Sequence, residues 1–139
     1  LHHSPDTPRA FREVCRVLKP GGVARIMICS KWSLVGLMLW IRYGLLRGRP
    51  FTPLADIYAT HLESPGTKAY TVGEARKLCS GFRDVQVRTV LTHGDLLSSG
   101  AGQRHQGRLL NAARLIWPRW FFKTFTPDLG LFMLIECVK

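Results

Sequence analysis

The run TPRAFREVCRVLKPGGVARIMIC, residues 7–29, constrains the fold more than any other stretch of this chain. Phe11, Val14, Cys15 and Leu18 recur at helical spacing, with Arg9, Arg12, Glu13 and Arg16 on the other side. Asp6 or Thr7 can cap this helix, and Pro8 sits near its first position, where a missing N–H costs nothing. Lys19 suits the last turn, and Pro20-Gly21-Gly22 ends the helix. Val23 to Cys29 then reads as a strand. Val23, Ile26, Met27 and Ile28 make it nearly continuous in apolar side chains, so it is expected to be covered on both faces. Helix, stop and buried strand in succession predict an α/β layer.

Ahead of this run, Leu1-His2-His3 reads as the carboxyl end of a buried strand, followed by a turn over Ser4–Thr7. Residues 1–139 are therefore expected to be the C-terminal part of a larger α/β domain. After the strand, an apolar helix is expected over Leu34 to Leu46, with bends at Gly36 or Gly44. Residues 49–70 hold three prolines and little periodicity, which suggests a loop or short helices. Thr71-Val-Gly-Glu74 is a capping-box pattern; its helix should run to about Ser80 and end at Gly81. Val85, Val87, Val90 and Leu91 suggest a strand that His93-Gly94-Asp95 closes. Residues 98–107 are polar and Gly-rich, Arg108 to Trp117 is a basic amphipathic helix ended or kinked by Pro118, and Leu129 to Val138 is a final strand.

Apolar residues make up 46% of the chain, enough to exclude disorder. The charge is less ordinary: 20 Lys and Arg against 9 Asp and Glu give +11. Such an excess favours anionic partners, either nucleic acid, acidic lipid or phosphate-bearing substrates; a generally basic proteome, or an acidic half elsewhere, would give the same number. Cys15, Cys29, Cys79 and Cys137 form no C-x-x-C pair and read as reduced core residues. No metal site is expected, since His61 and His93 stand alone. The longest apolar run, Trp32 to Ile41, falls well short of the roughly 20 residues that a membrane span needs.

Phe11, Glu13, Arg16, Leu18, Lys19, Pro20, Gly21 and Gly22 together resemble the second half of class I S-adenosyl-L-methionine-dependent methyltransferases. The resemblance is to the branch that includes ubiquinone- and menaquinone-biosynthesis and other small-molecule methyltransferases. The stretch Glu63 to Val87 is similar to later parts of such proteins, and LGLFMLIECVK to their closing strand. The resemblance implies a partial Rossmann-like methyltransferase fold: the C-terminal half of a seven-stranded sheet with a final antiparallel strand. Val23 to Cys29 should run parallel to Asp84–Leu91, with Leu129 to Val138 inserted antiparallel between them. Residues 31–70 and 96–127 would be substrate-side insertions. The free edge of the Val23 strand would be unpaired and apolar.

The resemblance also implies S-adenosylmethionine as cofactor and a small, hydrophobic molecule as methyl acceptor. The family holds its cofactor mainly with a Gly-rich loop after its first strand and an acidic residue ending its second. Neither occurs here; Gly21-Gly22 follows a helix. The chain alone is thus expected to bind the cofactor negligibly. What it does contain is the turn at the methyl-donor end: Leu1, His2 and Ser4 for the cofactor, and His2 or His3 as a base or orienting group. Each histidine could equally pack or cap the next helix. Trp32 could wall a substrate pocket or anchor a helix start in the core. Glu63, Lys68 and Tyr70 flank the Pro65-Gly66 turn and could form a substrate loop.

Two stretches interleave apolar or aromatic side chains with arginines, Trp32 to Leu46 and Arg108 to Phe125. They could lie against an anionic membrane surface, close over a greasy substrate, or pack on the sheet. Nucleic acid is the weakest partner, because no recognised motif accompanies the arginines. The reading is therefore a cytoplasmic or membrane-peripheral methyltransferase; the alternative is a basic membrane-peripheral or nucleic-acid-binding module without catalysis.

Overall fold

Asp6 begins the first helix, α1 (Thr7–Val17), by accepting the Arg9 N–H at 2.9 Å, with a proline in the first turn. Of the two candidate caps the carboxylate is the one used, and Thr7 is wholly buried instead. The computed structural model describes residues 3–62, 66–98 and 115–139. The chain leaves α1 through Gly21, whose φ of +77° is where a side chain would be strained, and enters β1 (Val23–Ser30). Helix α2 (Leu34–Tyr43), a 3-10 turn (Leu45–Arg47) and α3 (Leu54–His61) follow. Strand β2 (Ala69–Tyr70), helix α4 (Val72–Leu78) and strand β3 (Asp84–Val90) come next, then α5 (Arg119–Phe125) and β4 (Phe132–Val138).

Both halves of the capping box at α4 are present: Glu74 N–H to Thr71 Oγ1 at 3.2 Å and Thr71 N–H to Glu74 Oε2 at 2.7 Å. The apolar helix expected to Leu46 ends at Tyr43, because Gly44 turns the chain and Leu45–Arg47 tightens into the 3-10 turn. Residues 49–70, expected as a loop or short helices, hold α3 and β2. The helix expected over Arg108–Trp117 lies mostly outside the described residues; Pro118 stands at the start of α5, as its missing N–H permits.

The sheet is mixed, in the order β2-β1-β4-β3. Strand β4 pairs antiparallel with both β1 and β3, with Ile135 opposite Ile26 on one side and Val87 on the other. β1 and β3 therefore run parallel, separated by the last strand of the chain, as expected. Two expectations need correction. Seven strands are not supported: the described sheet has four. The free edge of β1 is covered only at its carboxyl end, where β2 pairs parallel at Cys29 and Ser30; along residues 23–28 no described strand pairs with it there.

A third correction concerns burial. One face of the sheet is fully covered: α1 and α4 bury Phe11, Ala75 and Cys79 against Ala24, Ile28, Met133, Ile135 and Cys137. The opposite face is covered only at the carboxyl end of β1, where Cys29 meets Leu39, Ile57, Tyr58 and Leu62. Lower down it is open, with Met27 exposed and Arg25 paired to Glu136 at 2.8 Å across the strands. Strand β1 thus carries one charged residue that needs water, and the inserted helices stay at the strand tips, where polar anchors hold them.

Candidate functional site

The carboxyl ends of β1 and β3 and the start of β4 share one edge of the sheet. In open α/β sheets this is the edge at which ligands bind. Three segments reach it, and each is fixed by a different polar arrangement.

The first is the turn before α1. The Lys68 ammonium donates to the Pro5 carbonyl at 2.7 Å and to the Ser4 carbonyl at 3.2 Å. The Ser4 hydroxyl bonds the Asp6 carbonyl at 3.3 Å. Beside Lys68, the Tyr70 carbonyl accepts the Lys31 N–H at 2.8 Å, extending the β1–β2 pairing by one step. Three residues singled out from the sequence, Ser4, Lys68 and Tyr70, are therefore linked near the tip of β1, and Trp32 follows two residues after that strand. Trp32 is 63% exposed, so it is not a core anchor. His3 is exposed in the turn. Leu1, His2 and Glu63, the remaining expected site residues, lie outside the described residues.

The second arrangement joins α2 and α3 to the strand tip. Ser33 caps α2 by accepting the Gly36 N–H at 3.0 Å, and its hydroxyl lies 2.8 Å from the Tyr58 hydroxyl. Tyr58 is completely buried and also reaches the carbonyls of Ser30 and Lys31, each at 3.3 Å. Burial pushes the phenol up to about 12, against a smaller opposite effect of the Ser33 hydrogen bond. This phenol stays protonated at neutral pH and acts as a clamp. Gly36 makes the clamp feasible, since a Cβ there would collide with the Tyr58 hydroxyl.

The third arrangement centres on Asp95, which is fully buried just beyond β3. Its carboxylate accepts the Thr92 hydroxyl at 2.8 Å and the N–H groups of Thr92 at 2.9 Å, Leu131 at 2.9 Å and Val35 at 3.2 Å. A buried charge is tolerable only with such compensation. The Asp95 carbonyl in turn accepts the Trp117 indole N–H at 3.0 Å, and Arg119 donates to the Leu96 and Leu97 carbonyls. One carboxylate thereby ties the β3 exit, the start of α2, the approach to β4 and the segment before α5.

Sequence reasoning missed Ser33, Tyr58, Asp95 and Trp117. For Asp95 a signal was there: Thr92-x-x-Asp95 is the spacing of a capping box with a shorter acid, and the Asp95 N–H to Thr92 Oγ1 bond at 3.2 Å completes it. Tyr58 had none, because its partners come from the strand tip and the next helix start.

These residues fit S-adenosylmethionine only in part. They form the strand-tip turn. They include no glycine-rich strand-to-helix turn for close backbone approach, and the acid buried at this edge, Asp95, already has its oxygens committed to four donors. It cannot serve ribose hydroxyls without breaking the edge apart. Among the described residues no cluster of His, Cys, Asp and Glu could hold a metal ion, and no helix is long and apolar enough to cross a membrane.

Residues 1–26 match the family model of a methyltransferase domain. The matched stretch covers the strand-tip turn, α1, the Pro20-Gly21-Gly22 stop and the first half of β1. It supports methyl transfer as a class of activity. No curated protein and no solved structure matches the chain.

Proposed function

We propose that this chain provides the acceptor side of a methyl transfer in which S-adenosylmethionine is the donor and a small hydrophobic molecule the acceptor. The observation that carries the reading is positional. The methyltransferase-like stretch ends in β1; near the tip of that strand Lys68 holds the Ser4–Pro5 turn, Tyr70 bonds Lys31, and Trp32 follows two residues after the strand.

Methyl transfer needs chiefly alignment of acceptor atom, methyl group and leaving sulfur. In this reading Lys68 is a positioning residue: it holds the Ser4–Pro5 turn against β2. Trp32 offers an exposed aromatic wall for an apolar acceptor. His3, and His2 beside it, would take a proton where the acceptor arrives protonated. The donor's ribose would be held outside the described residues, in keeping with the commitment of Asp95. The ubiquinone- and menaquinone-biosynthesis branch is proposed on the sequence resemblance alone; the family-model match is to the methyltransferase domain in general.

The test is calorimetric titration with S-adenosylmethionine and S-adenosylhomocysteine, followed by transfer of a labelled methyl group to a panel of hydrophobic phenols, amines and acids. Both are run on this chain and on the chain with whatever residues its reading frame encodes upstream. Transfer that falls in Lys68→Met and Trp32→Ala, with the fold intact, supports the reading. A folded protein with the upstream residues that binds neither compound overturns it and favours a module without catalysis.

A further inference from the structure

Every acidic residue is missing between Glu13 and Asp56, and again between Asp95 and Asp128. These two acid-free stretches contain α2 with its 3-10 turn, and α5. They leave the same edge of the sheet, because Asp95 accepts from Val35 at the start of α2 and from Leu131 at the approach to β4, while its carbonyl holds Trp117. Leaving this edge, the described elements carry Arg42, Arg47, Arg119 and Lys123, with Arg49 just beyond the 3-10 turn.

That side is also greasy. Helix α2 is apolar all round. Its Leu39 side packs on α3, while Leu37 and Ile41 on the other side, and Leu45 one turn on, face solvent. Leu46 is 66% exposed and Phe51 is 96% exposed. On α5, Trp120, Phe121 and Phe125 are exposed and cluster edge to face. Large apolar side chains exposed in two such groups mark a contact.

Beside the 3-10 turn, between the end of α2 and α3, lies a hollow of about 520 Å³, lined by Tyr43, Arg47, Arg49, Thr52, Asp56 and His61, among others. Tyr43 stacks on His61 with centroids 3.7 Å apart, and the Arg42 and Arg47 guanidinium carbons lie 5.3 and 5.0 Å from the Tyr43 ring centre. The ion pairs among the described residues lie elsewhere, at Arg16–Glu13 and Arg25–Glu136. The arginines are therefore held near one another with no carboxylate bound to them, and Asp56 is the one acid at the hollow.

We infer that this edge docks on an anionic phospholipid bilayer, with Leu45, Leu46 and Phe51 entering the interface and a lipid phosphate seated between Arg47 and Arg49. Aliphatic side chains alternating with arginines suit a bilayer, where apolar burial and attraction to anionic headgroups add. Nucleic acid would use the aromatics but gain nothing from Leu45 and Leu46. A second copy would set two acid-free edges against each other and suffer like-charge repulsion. The docking is independent of the proposed methyl transfer; it would also bring the strand tip to where hydrophobic molecules dissolve.

Co-sedimentation of the full chain with phosphatidylcholine vesicles, with and without phosphatidylglycerol, tests this. Binding is expected only with phosphatidylglycerol, and it should weaken as salt rises. Arg47→Ala and Arg49→Ala should each weaken partitioning about fivefold, and Phe51→Ser about tenfold. Arg9→Ala with Arg12→Ala removes twice the charge of either single variant from α1, on the covered face of the sheet, and should leave binding unchanged. Leu46→Ser is the second apolar variant should Phe51→Ser alter the circular-dichroism spectrum. An equal loss in the α1 variant, no loss in either apolar variant, or tighter binding to a single-stranded oligonucleotide overturns the inference. So does displacement by millimolar inorganic phosphate with the apolar variants unaffected, which would make the hollow a soluble-phosphate site. A dimer in sedimentation velocity that Phe51→Ser dissolves would assign the face to a second copy.

Discussion

The Asp95 carboxylate accepts the backbone N–H of Val35 at 3.2 Å across sixty positions of sequence. The same side chain receives Leu131, so the start of a helix and the approach to the closing strand hang on one buried charge. This relation fixes how the inserted segments sit over the strand tips.

Asp95→Ala should therefore be among the most damaging single changes. It leaves the N–H groups of Val35, Thr92 and Leu131 unsatisfied in the interior, at a cost of about 3–5 kcal/mol. Urea denaturation followed by circular dichroism measures it. A loss below about 1 kcal/mol would show that water replaces the carboxylate freely.

At the other anchor, Gly36→Ala drives a methyl group into the Tyr58 hydroxyl and should cost about 1–3 kcal/mol. Combining it with Tyr58→Phe removes the atom in collision. The double variant should lose less than the sum of the single losses, a coupling that a double-mutant cycle reads directly.

Stability should carry an acid-sensitive contribution from the capping box of α4. Hydrogen bonds from the Thr71 N–H and hydroxyl hold the Glu74 carboxyl below its usual range. A carboxylate depressed on folding contributes stability above its unfolded value of about 4.3 and loses it as pH falls through the folded value. Glu74→Gln should therefore narrow the difference in stability between pH 6 and pH 3 (roughly the span over which glutamates titrate). An unchanged difference would mean that the unfolded chain holds this carboxylate as well as α4 does.

Thiol chemistry should divide the cysteines. Cys79 and Cys137 are buried with sulfurs 3.6 Å apart, and burial pushes the Cys79 thiol up to about 12 and raises Cys137. The thiolate is the reactive form, so both should resist alkylation at pH 8 (about the ordinary onset of thiol reactivity) until the protein unfolds. Cys15, only partly buried, should react first. Mass spectrometry of peptides after timed alkylation gives the order; early labelling of Cys79 would show that α4 opens from the sheet.

Local elements were readable because local chemistry specifies them. The amphipathic spacing of Phe11, Val14 and Leu18, the Pro20-Gly21-Gly22 stop and the Thr71–Glu74 capping box each act within a few residues, and each produced the element expected. The placement of β4 between β1 and β3 followed the family resemblance. Two-sided burial of β1 did not, because periodicity alone does not say that Arg25 faces Glu136 on an open face. Of the residues proposed for the site, Lys68 reaches the Ser4 carbonyl and Tyr70 joins the end of β1. Their roles were less legible, since Lys68 proves to strap a turn through main-chain carbonyls that carry no sequence signal.

The sequence by itself determined where α1 and α4 start, how α1 ends, and that two long stretches carry arginines without a single acid. These follow from short-range sterics, capping and charge, which need no partner distant in the chain. Only the tertiary structure decided that the two stretches share one edge, that Tyr58 clamps Ser33 to the tip of β1, and that Asp95 is buried instead of exposed. Those outcomes depend on groups separated by 25 to 60 positions. Their energy comes from desolvated hydrogen bonds, which exist only once the sheet has brought both partners out of water.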